Sequence, residues 1–375
     1  MKELHAMVIL GTRPEAIKLA PIVHELRSRG DSVRVTVVST GQHREMLAPM
    51  LELFGIQPAH DLQLQRPDQT LEHIVSGVLG GMPALFASEQ PDVIVVQGDT
   101  STTFAAALAG FFRDVRVAHV EAGLRTEHAR NPFPEEMNRR LTTRLADLHL
   151  APTARSRDAL LGEGIPEDQV LMTGNTVVDA LHWLRRERGD LVTGAADAAL
   201  DGIDLDGKRL AVITGHRRES FGQPFRDFCT ALADAADDYP DLVLVYPVHL
   251  NPRVQEPVRE ILGGRDRIHL LEPVDYPAMI GLLERADVVI TDSGGIQEEA
   301  PSFGVPVLVT RETTERPEGV EAGVSVLVGT DRELIRAELA KALAAGRSEA
   351  RANPYGDGAA ARRTIDALIE RFGRG

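Results

Sequence analysis

Short apolar runs alternate with longer amphipathic segments along most of the chain. The apolar runs predict strands over residues 4–10, 33–39, 93–97, 116–120, 146–150 and 170–172, and again over residues 210–213, 242–246, 268–271, 288–290 and 307–309. The segments between them have the spacing of helices; in the last one, Ile365, Leu368, Ile369 and Phe372 recur at i, i+3, i+4 and i+7. This alternation predicts parallel βαβ units and therefore an α/β fold with doubly wound sheets.

Two domains are the natural expectation, because 375 residues exceed what one average hydrophobic core organises. The segment from Gly189 to Gly207 is weakly patterned and rich in Gly, Ala and Asp, which predicts a hinge. We therefore assign residues 1–188 to a first domain and begin the second at residue 208. Two such domains across a hinge would form a cleft lined by strand ends from both, and would close on a ligand.

Polar residues follow directly after four strands of the first half. Arg13, Gln42, Asp99 and Glu121 each lie in the loop that leaves a strand. In doubly wound sheets the carboxyl ends of the strands form the edge where ligands bind. Each residue alone is more often a turn residue than a catalyst, but four together favour a binding site at this edge.

Prolines mark further helix boundaries in this half. Pro134 predicts a helix start that places Glu135 and Glu136 in the first turn, and Glu136 is best interpreted as compensating the helix dipole. Pro21 lies inside the first predicted helix and should kink or split it.

The stretch VVITDSGGIQEE, Val288–Glu299, joins a strand to a helix through Gly-Gly. Such a junction leaves backbone N–H groups at the positive end of a helix dipole, which suits a phosphate. Glu298 and Glu299 are close enough to accept hydrogen bonds from ribose hydroxyls. A tight turn with two helix-favouring glutamates would show the same pattern, so this stretch alone does not decide between the two interpretations.

Composition excludes several functional classes. A net charge of −15 argues against binding to nucleic acid or to an anionic membrane surface, and an aromatic content of 4% argues against base-stacking surfaces for single-stranded nucleic acid. Cys229 is the single cysteine, so disulfides and a cysteine metal cage are excluded. We also expect neither a membrane span nor a signal segment, which predicts a cytoplasmic protein.

Nine motifs in order resemble one family, the non-hydrolysing UDP-N-acetylglucosamine 2-epimerases, from near the N-terminus to about residue 330. They are GTRPEAIKLAP, TGQHREML, QGDTSTT, HVEAGLRT, PFPEEMNR, TGNTVVDAL, TGHRRES, TDSGGIQEEAP and TTERPE. The resemblance implies two Rossmann-like domains of the GT-B glycosyltransferase type with the active site in the interdomain cleft. It also places the last helix, residues 357–375, on the first domain and leaves 208–356 as the UDP-binding domain.

The resemblance implies interconversion of UDP-GlcNAc and UDP-ManNAc by a homodimer, with no metal and no nicotinamide cofactor. The chemistry is consistent with this, since the C2 hydrogen has no adjacent carbonyl and the chain has no G-x-G-x-x-G motif for a redox route. The remaining route removes the C2 proton while UDP leaves C1, and then adds UDP back with C2 protonated on the other face.

The family's roles transfer to matching positions of this chain. Asp99, Glu121 and Glu135 are the acid–base candidates, and His216 completes the catalytic group beside the diphosphate. Crowding of these carboxylates is expected to separate their pKa values. The substrate-binding candidates are Arg13, Ser293, Gly294 and Gly295 for the phosphates, Glu299 for the ribose, and Lys18 and Arg316 for the sugar or UDP.

Three departures from the family pattern bear on ligand choice. Residues 126–131 read TEHARN where relatives more often have a glycine-acidic-aromatic-serine sequence, and Met279 replaces an aromatic near the uracil. Some relatives bind a second UDP-GlcNAc as activator. Gln42 and Glu45 lie in the corresponding allosteric motif, but the Glu45 carboxylate would repel a diphosphate.

Three other functions use the same features. A hydrolysing 2-epimerase would release UDP and free ManNAc, and a glycosyltransferase would use the same cleft, although three acids favour proton transfer. A UDP-sugar-binding regulator without turnover is the alternative from another class.

Overall fold

The chain divides into two compact units, Met1–Trp183 with Tyr355–Gly375, and Leu184–Pro354. The structure is a computed structural model that describes residues 3–126, 128–348 and 352–374. The chain passes between the units inside one long helix, Thr176–Ala199, whose backbone leaves helical geometry at Arg188. Residues 189–199 of the predicted hinge are therefore helical, and the hinge itself stays a prediction.

The first unit contains a parallel sheet with helices on both faces. Its strands are β1 Leu4–Leu10, β2 Val33–Ser39, β3 His60–Asp61, β4 Val93–Gln97, β5 Arg116–Val120, β6 Leu148–Ala151 and β7 Val170–Met172. Its helices are α1 Arg13–Ser28, α2 Arg44–Leu53, α3 Leu71–Glu89, α4 Ser101–Phe112, α5 Glu135–Leu145, α6 Ala154–Gly162, the first part of α7 Thr176–Ala199, and α14 Ala360–Phe372. Among the described residues, the strand order is β3-β2-β1-β4-β5-β6-β7.

The last helix belongs to the first unit. Helix α14 packs against α1 and β1. Its N-terminus is held by Asp179 of α7, which accepts hydrogen bonds from the backbone N–H groups of Ala360 and Ala361 at 3.2 and 2.9 Å. Burial raises the pKa of the Asp179 carboxyl from 3.8 to about 6, against the opposing effect of these hydrogen bonds.

The second unit repeats the architecture. Its strands are β8 Arg209–Thr214, β9 Leu242–Pro247, β10 Ile268–Leu271, β11 Val288–Thr291, β12 Val307–Val309 and β13 Ser325–Leu327. Its helices are α8 Gln223–Asp238, α9 Pro252–Leu262, α10 Tyr276–Arg285, α11 Gly294–Glu299, α12 Pro317–Glu321 and α13 Arg332–Ala345, together with the rest of α7. In the described ranges the parallel strand order is β10-β9-β8-β11-β12-β13.

Each sheet reverses its winding direction once, and both reversals carry candidate residues. In the first sheet β1 and β4 are neighbours, so the loops beginning at Gly11 and Gly98 leave the sheet side by side. In the second sheet β8 and β11 are neighbours, which brings together the loops beginning at Gly215 and Asp292. Reversal points of this kind form the ligand-binding crevice of open α/β sheets.

The predicted α/β class with two doubly wound sheets is confirmed. Of the two effects predicted for Pro21, the split is not observed and the kink stays a prediction. Helix α1 is not split at Pro21; it continues from Arg13 to Ser28. Leu19, Ala20, Ile22 and Val23 around the proline are fully buried. Their burial offsets the cost of roughly 3 kcal/mol that an interior proline imposes on a helix.

Candidate active site

Glu121 is a buried carboxylate of the first unit with donors at both oxygens. It follows β5 with a φ of 62°, a left-handed conformation that is rare for a residue with a Cβ. Lys18 donates to its Oε1, as does Asn175 at 3.3 Å, while Gln97 donates to its Oε2. Glu121 is 8% exposed. A strained, buried carboxylate with donors at both oxygens is typical of a functional position, since a turn residue needs none of these partners.

Asp99 lies on the loop after the neighbouring strand β4 and has a different cation. Arg139 of α5 donates to its Oδ2 from Nε at 2.8 Å and Nη2 at 2.6 Å, and the Asn138 amide donates to its backbone carbonyl at 2.9 Å. Asp99 and Glu121 therefore each pair with their own cation. The sequence predicted that carboxylates would crowd one another, whereas the ion pairs of Asp99 and Glu121 are with Arg139 and Lys18.

Glu136 has a larger role than dipole compensation. It is 0% exposed, and its Oε2 accepts from Arg139 and from the backbone N–H of Thr126, both at 3.1 Å. Its Oε1 accepts from Arg140 at 2.8 Å. Glu136 thus holds the arginine that holds Asp99, and also anchors the unusual 126–131 segment, within which Glu127 lies outside the described residues. Glu135, the remaining predicted acid, is half-buried at the first position of α5.

The loops after β1 and β4 are joined by the buried Glu15. Its carboxylate accepts from the backbone N–H groups of Gly11 and Thr12 at 2.9 and 2.8 Å, and from the hydroxyls of Thr100 and Thr103 at 2.7 and 3.1 Å. Burial raises the pKa of the Glu15 carboxyl, although the hydrogen bonds act in the opposite direction. The predicted phosphate ligand Arg13 is half-buried at the start of α1, directly beside this junction.

The two residues of the predicted allosteric motif differ in environment. Gln42 is buried, and its Oε1 accepts from the Thr102 hydroxyl at 2.8 Å. Glu45 is exposed in the first turn of α2. Gln42 therefore belongs to the packing of the β2–α2 loop, and only Glu45 faces solvent.

In the second unit, the two glycines of the Gly-Gly junction have different neighbours. A Cβ at Gly294 would lie 2.6 Å from the guanidinium carbon of Arg316, so the close approach of Arg316 already accounts for glycine at this position. A Cβ at Gly295 would meet only the Ser293 hydroxyl, at 3.9 Å. The Ser293 side chain does not cap α11. The Ser293 backbone N–H donates to the Thr291 hydroxyl at 2.9 Å, so within this junction Gly295 is the position with open space for an approaching anion.

Arg316 is placed over this backbone by a network of acids. Its Nε donates to Glu298 Oε1 at 2.7 Å. The loop before it is held by Arg311, which donates to Glu315 at 2.8 Å and to Glu219 at 2.9 Å. Burial would raise the pKa of Glu315, but the hydrogen bond and charge of Arg311 and the charge of Arg316 lower it to about 2. Two of the predicted residues, Gly294 and Arg316, therefore meet.

Glu299, the predicted ribose ligand, is buried beside an aromatic hydroxyl. The Tyr276 hydroxyl at the start of α10 donates to Glu299 Oε1 at 2.9 Å. Met279 is half-buried one turn later on the same helix. Tyr276 is thus the aromatic residue in contact with the predicted ribose ligand.

His216 follows β8 and is held by Asp292, which follows β11. The backbone N–H groups of His216 and Arg217 donate to Asp292 Oδ2 at 2.6 and 2.8 Å. The His249 ring stacks on the His216 ring at 5.1 Å between centroids. Burial is the main cause of a lowered pKa of His216; the Asp292 charge opposes this shift, and His249 and Arg217 contribute to it.

Several residues in these clusters were not predicted as site residues. They are Glu15, Gln97, Glu136, Arg139, Asn175, Asp292 and Tyr276. Most lie inside motifs already recognised, such as Asn175 in TGNT and Asp292 in TDSGG. Their positions were available from the sequence, but their partners are distant in the chain.

The described ranges contain neither a metal-binding cluster nor a membrane-spanning helix. No group of three or more His, Cys, Asp or Glu side chains there is arranged to hold a metal ion. No helix within those ranges is both long and apolar enough to cross a membrane.

Comparison with known proteins identifies the family. The family model for UDP-N-acetylglucosamine 2-epimerase matches residues 24–369. The UDP-N-acetylglucosamine 2-epimerase of Yersinia pestis is 49% identical over 370 residues, which cover 97% of this chain and 98% of that protein. The enzyme of the same name from Escherichia coli strain K12 is 47% identical over 374 residues, with 97% and 98% coverage.

A solved structure agrees with the fold over its whole length. The UDP-GlcNAc 2-epimerase of Neisseria meningitidis bound to UDP-GlcNAc has a TM-score of 0.89 and 40% sequence identity, covering 98% of this chain and 100% of that one. The chain therefore belongs to the UDP-N-acetylglucosamine 2-epimerase family.

Proposed function

We propose that the protein epimerises UDP-N-acetylglucosamine at C2, by elimination of UDP to a 2-acetamidoglucal and re-addition. The observation that carries this proposal is Glu121, a buried carboxylate with left-handed backbone to which Lys18, Gln97 and Asn175 donate. Donors at both oxygens suit an ionised carboxylate that accepts a proton from carbon. Membership of the family and the UDP-GlcNAc complex of a relative name the substrate class.

The proton traffic at C2 is assigned to Asp99, Glu121 and Glu135. One carboxylate takes the C2 proton, and the electron pair of the C2–H bond forms the C1–C2 double bond. The C1–oxygen bond breaks at the same time, and its electron pair leaves with UDP. In the return step a UDP oxygen attacks C1 and a protonated acid delivers a proton to the opposite face of C2. Lys18 and Arg139 hold Glu121 and Asp99 in place for both steps, and no atom is gained or lost overall.

The diphosphate and ribose are assigned to residues of both sequence halves. The junction Ser293-Gly294-Gly295 is assigned to the phosphates, because Gly295 is open to solvent and the Arg316 guanidinium lies beside Gly294. Arg13 and His216 are assigned to the same diphosphate, where cations and N–H donors stabilise the charge that develops on the leaving group. Glu299 is assigned to the ribose hydroxyls.

Two further properties belong to the proposal. The resemblance implies a homodimer, and light scattering coupled to size-exclusion chromatography should give about twice the 40.8 kDa chain mass. The predicted cytoplasmic location agrees with a nucleotide-sugar substrate.

Phosphorus NMR of the products tests the proposal. UDP-GlcNAc should be converted to a mixture with UDP-ManNAc in which the diphosphate stays esterified. Accumulation of free UDP with ManNAc would establish the hydrolysing reaction instead, and binding without any product would establish a regulator.

A variant of the predicted acid completes this test. Asp99→Asn should lower turnover by roughly 100-fold or more, as expected when a positioned acid–base group is lost. Asp147→Asn is the matched control. Asp147 accepts the backbone N–H of Val117 at 2.8 Å, near the start of β5 and therefore at the edge of the sheet opposite to Asp99. Equal activity in both variants would refute the assignment of Asp99.

A further inference from the structure

Asp292 is a buried carboxylate at the point where the second sheet reverses its winding. It is 2% exposed and lies between the end of β11 and the Gly-Gly junction at residues 293–295. Its Oδ2 accepts from both His216 and Arg217 N–H groups, so one oxygen fixes the backbone that carries the His216 ring.

The second oxygen of Asp292 faces the His216 ring. Asp292 Oδ1 is 3.4 Å from His216 Nδ1. This oxygen is buried and has no hydrogen-bond partner within the part of the chain that the structure describes. A buried carboxylate oxygen without a donor is costly, and the imidazole Nδ1–H is the donor that a small rotation would supply. The His216 side chain is otherwise 41% exposed, which leaves its remaining nitrogen available to a ligand.

The other charged or titratable groups around His216 favour its neutral form. His249 stacks on it with an interplanar angle of 8°. His249 Nδ1 accepts the backbone N–H of Asn251 at 3.1 Å, so neutral His249 carries its proton on Nε2. Arg217 adds a positive charge beside the ring. Among these neighbours Asp292 is the one group that stabilises an imidazolium.

We propose that Asp292 is a positioning residue for His216, which sets the Nδ1–H tautomer and stabilises the ring when Nε2 also carries a proton. Nε2 then donates to an oxygen of the diphosphate as the C1–oxygen bond breaks. The proposal rests on the role assigned to His216 in the proposed function. It adds an orienting carboxylate to that role, on the same logic by which a buried aspartate orients a catalytic histidine in hydrolases.

A purely structural role is the competing explanation, because Asp292 also links β8 to β11. The chain contains a matched residue for that role. Asp287, just before β11, accepts the backbone N–H of Leu210 in β8 at 2.7 Å, and within the described residues it forms no ion pair with a histidine. Replacing each aspartate with asparagine removes one carboxylate from the same pair of strands, at opposite edges of the sheet.

The substitution Asp292→Asn separates the two explanations because the amide oxygen can still accept from both backbone N–H groups. The amide nitrogen, however, would present a donor to His216 Nδ1 and so favour the Nε2–H tautomer. We expect kcat to fall by about 100-fold, within the range of positioned acid–base groups. KM should stay within about threefold of the wild-type value, since the substitution leaves Gly294, Gly295 and Arg316 unchanged. Asp287→Asn should leave kcat, KM and the tautomer of His216 as they are in the wild-type protein.

Nitrogen-15 NMR of the imidazole rings gives a measurement that does not depend on turnover. The His216 signals are assigned by their loss in His216→Asn, among the 12 histidines. The wild-type protein should show the Nδ1–H tautomer, and Asp292→Asn should convert it to Nε2–H with a lower pKa. A wild-type His216 in the Nε2–H form, or an unchanged tautomer and titration in Asp292→Asn, would overturn the proposal even if one variant failed to fold. Correct NMR changes in a protein that forms no UDP-ManNAc would refute the proposed function and leave the positioning role standing.

Discussion

Replacing Lys18 with methionine removes the cation that faces Glu121 while it keeps most of the side-chain volume. The two side chains are 10% and 6% exposed, so solvent does little to compensate either charge. Removing one partner of a buried ion pair costs about 3–5 kcal/mol, because the other charge is left buried. Gln97 and Asn175 still donate to Glu121, so we expect the low end, about 3 kcal/mol.

A double-mutant cycle distinguishes this mechanism from simple loss of packing. The second change, Glu121→Gln, removes the stranded charge, so Lys18→Met with Glu121→Gln should recover about 2 kcal/mol relative to Lys18→Met alone. The control is Arg116→Met in the same unit. Arg116 pairs with Asp147, but its side chain is 56% exposed, and loss of such a pair should cost no more than about 0.5 kcal/mol.

Urea unfolding followed by tryptophan fluorescence measures these differences in the first unit. Trp183 is the single tryptophan of the chain, and it stacks on His24 at 4.6 Å between ring centroids. Midpoints and slopes of its transition give the free energy of unfolding by linear extrapolation. A Lys18→Met variant as stable as Arg116→Met, or a cycle in which the single effects simply add, would refute the reasoning.

Three other predictions concern Asp179, which holds helix α14, and the two glycines of the Gly-Gly junction, Gly294 and Gly295. Since burial raises the pKa of Asp179 from 3.8 to about 6, native protein binds this proton more tightly than unfolded protein. The stabilisation from this proton is fully present below about pH 4, and about 3 kcal/mol of it is lost as the pH rises through 6. In Asp179→Asn the free energy of unfolding, measured by urea titration at each pH, should depend less on pH. A pH dependence equal to that of the wild-type protein would contradict this prediction. Gly294→Ala should displace Arg316 and destabilise the protein by about 1–3 kcal/mol. Gly295→Ala should fold normally yet bind UDP at least about tenfold more weakly by calorimetry, because its methyl group covers the open backbone; wild-type affinity would place the diphosphate elsewhere.

The fold was largely predictable because its strands are buried on both faces. Continuous runs such as Leu4–Leu10 and Val93–Gln97 have the predicted bounds. The strands that escaped prediction, His60–Asp61 and Ser325–Leu327, are short and lie at sheet edges, where burial imposes little pattern. Pro21 does not split α1, because the tertiary packing of the helix outweighs the local effect of the proline.

For the candidate site, the sequence indicated residues at strand ends but not the ion pairs that hold them in place. Residues at strand ends, such as Asp99 and Glu121, are recognisable because loops at that edge bind ligands. The supports are buried ion pairs between residues distant in the chain, such as Glu121 with Lys18 and Asp99 with Arg139. Neither spacing nor periodicity encodes such pairs, so the sequence did not indicate the partners of Glu136.

Deuterium incorporation tests the central claim most directly. The wild-type protein is incubated with UDP-GlcNAc in deuterated water, and both nucleotide sugars are examined by proton NMR and mass spectrometry. Proton transfer at C2 by carboxylates of the first unit predicts UDP-ManNAc that carries deuterium at C2, with slower exchange in Glu121→Gln. UDP-ManNAc that retains the original C2 hydrogen would contradict the account.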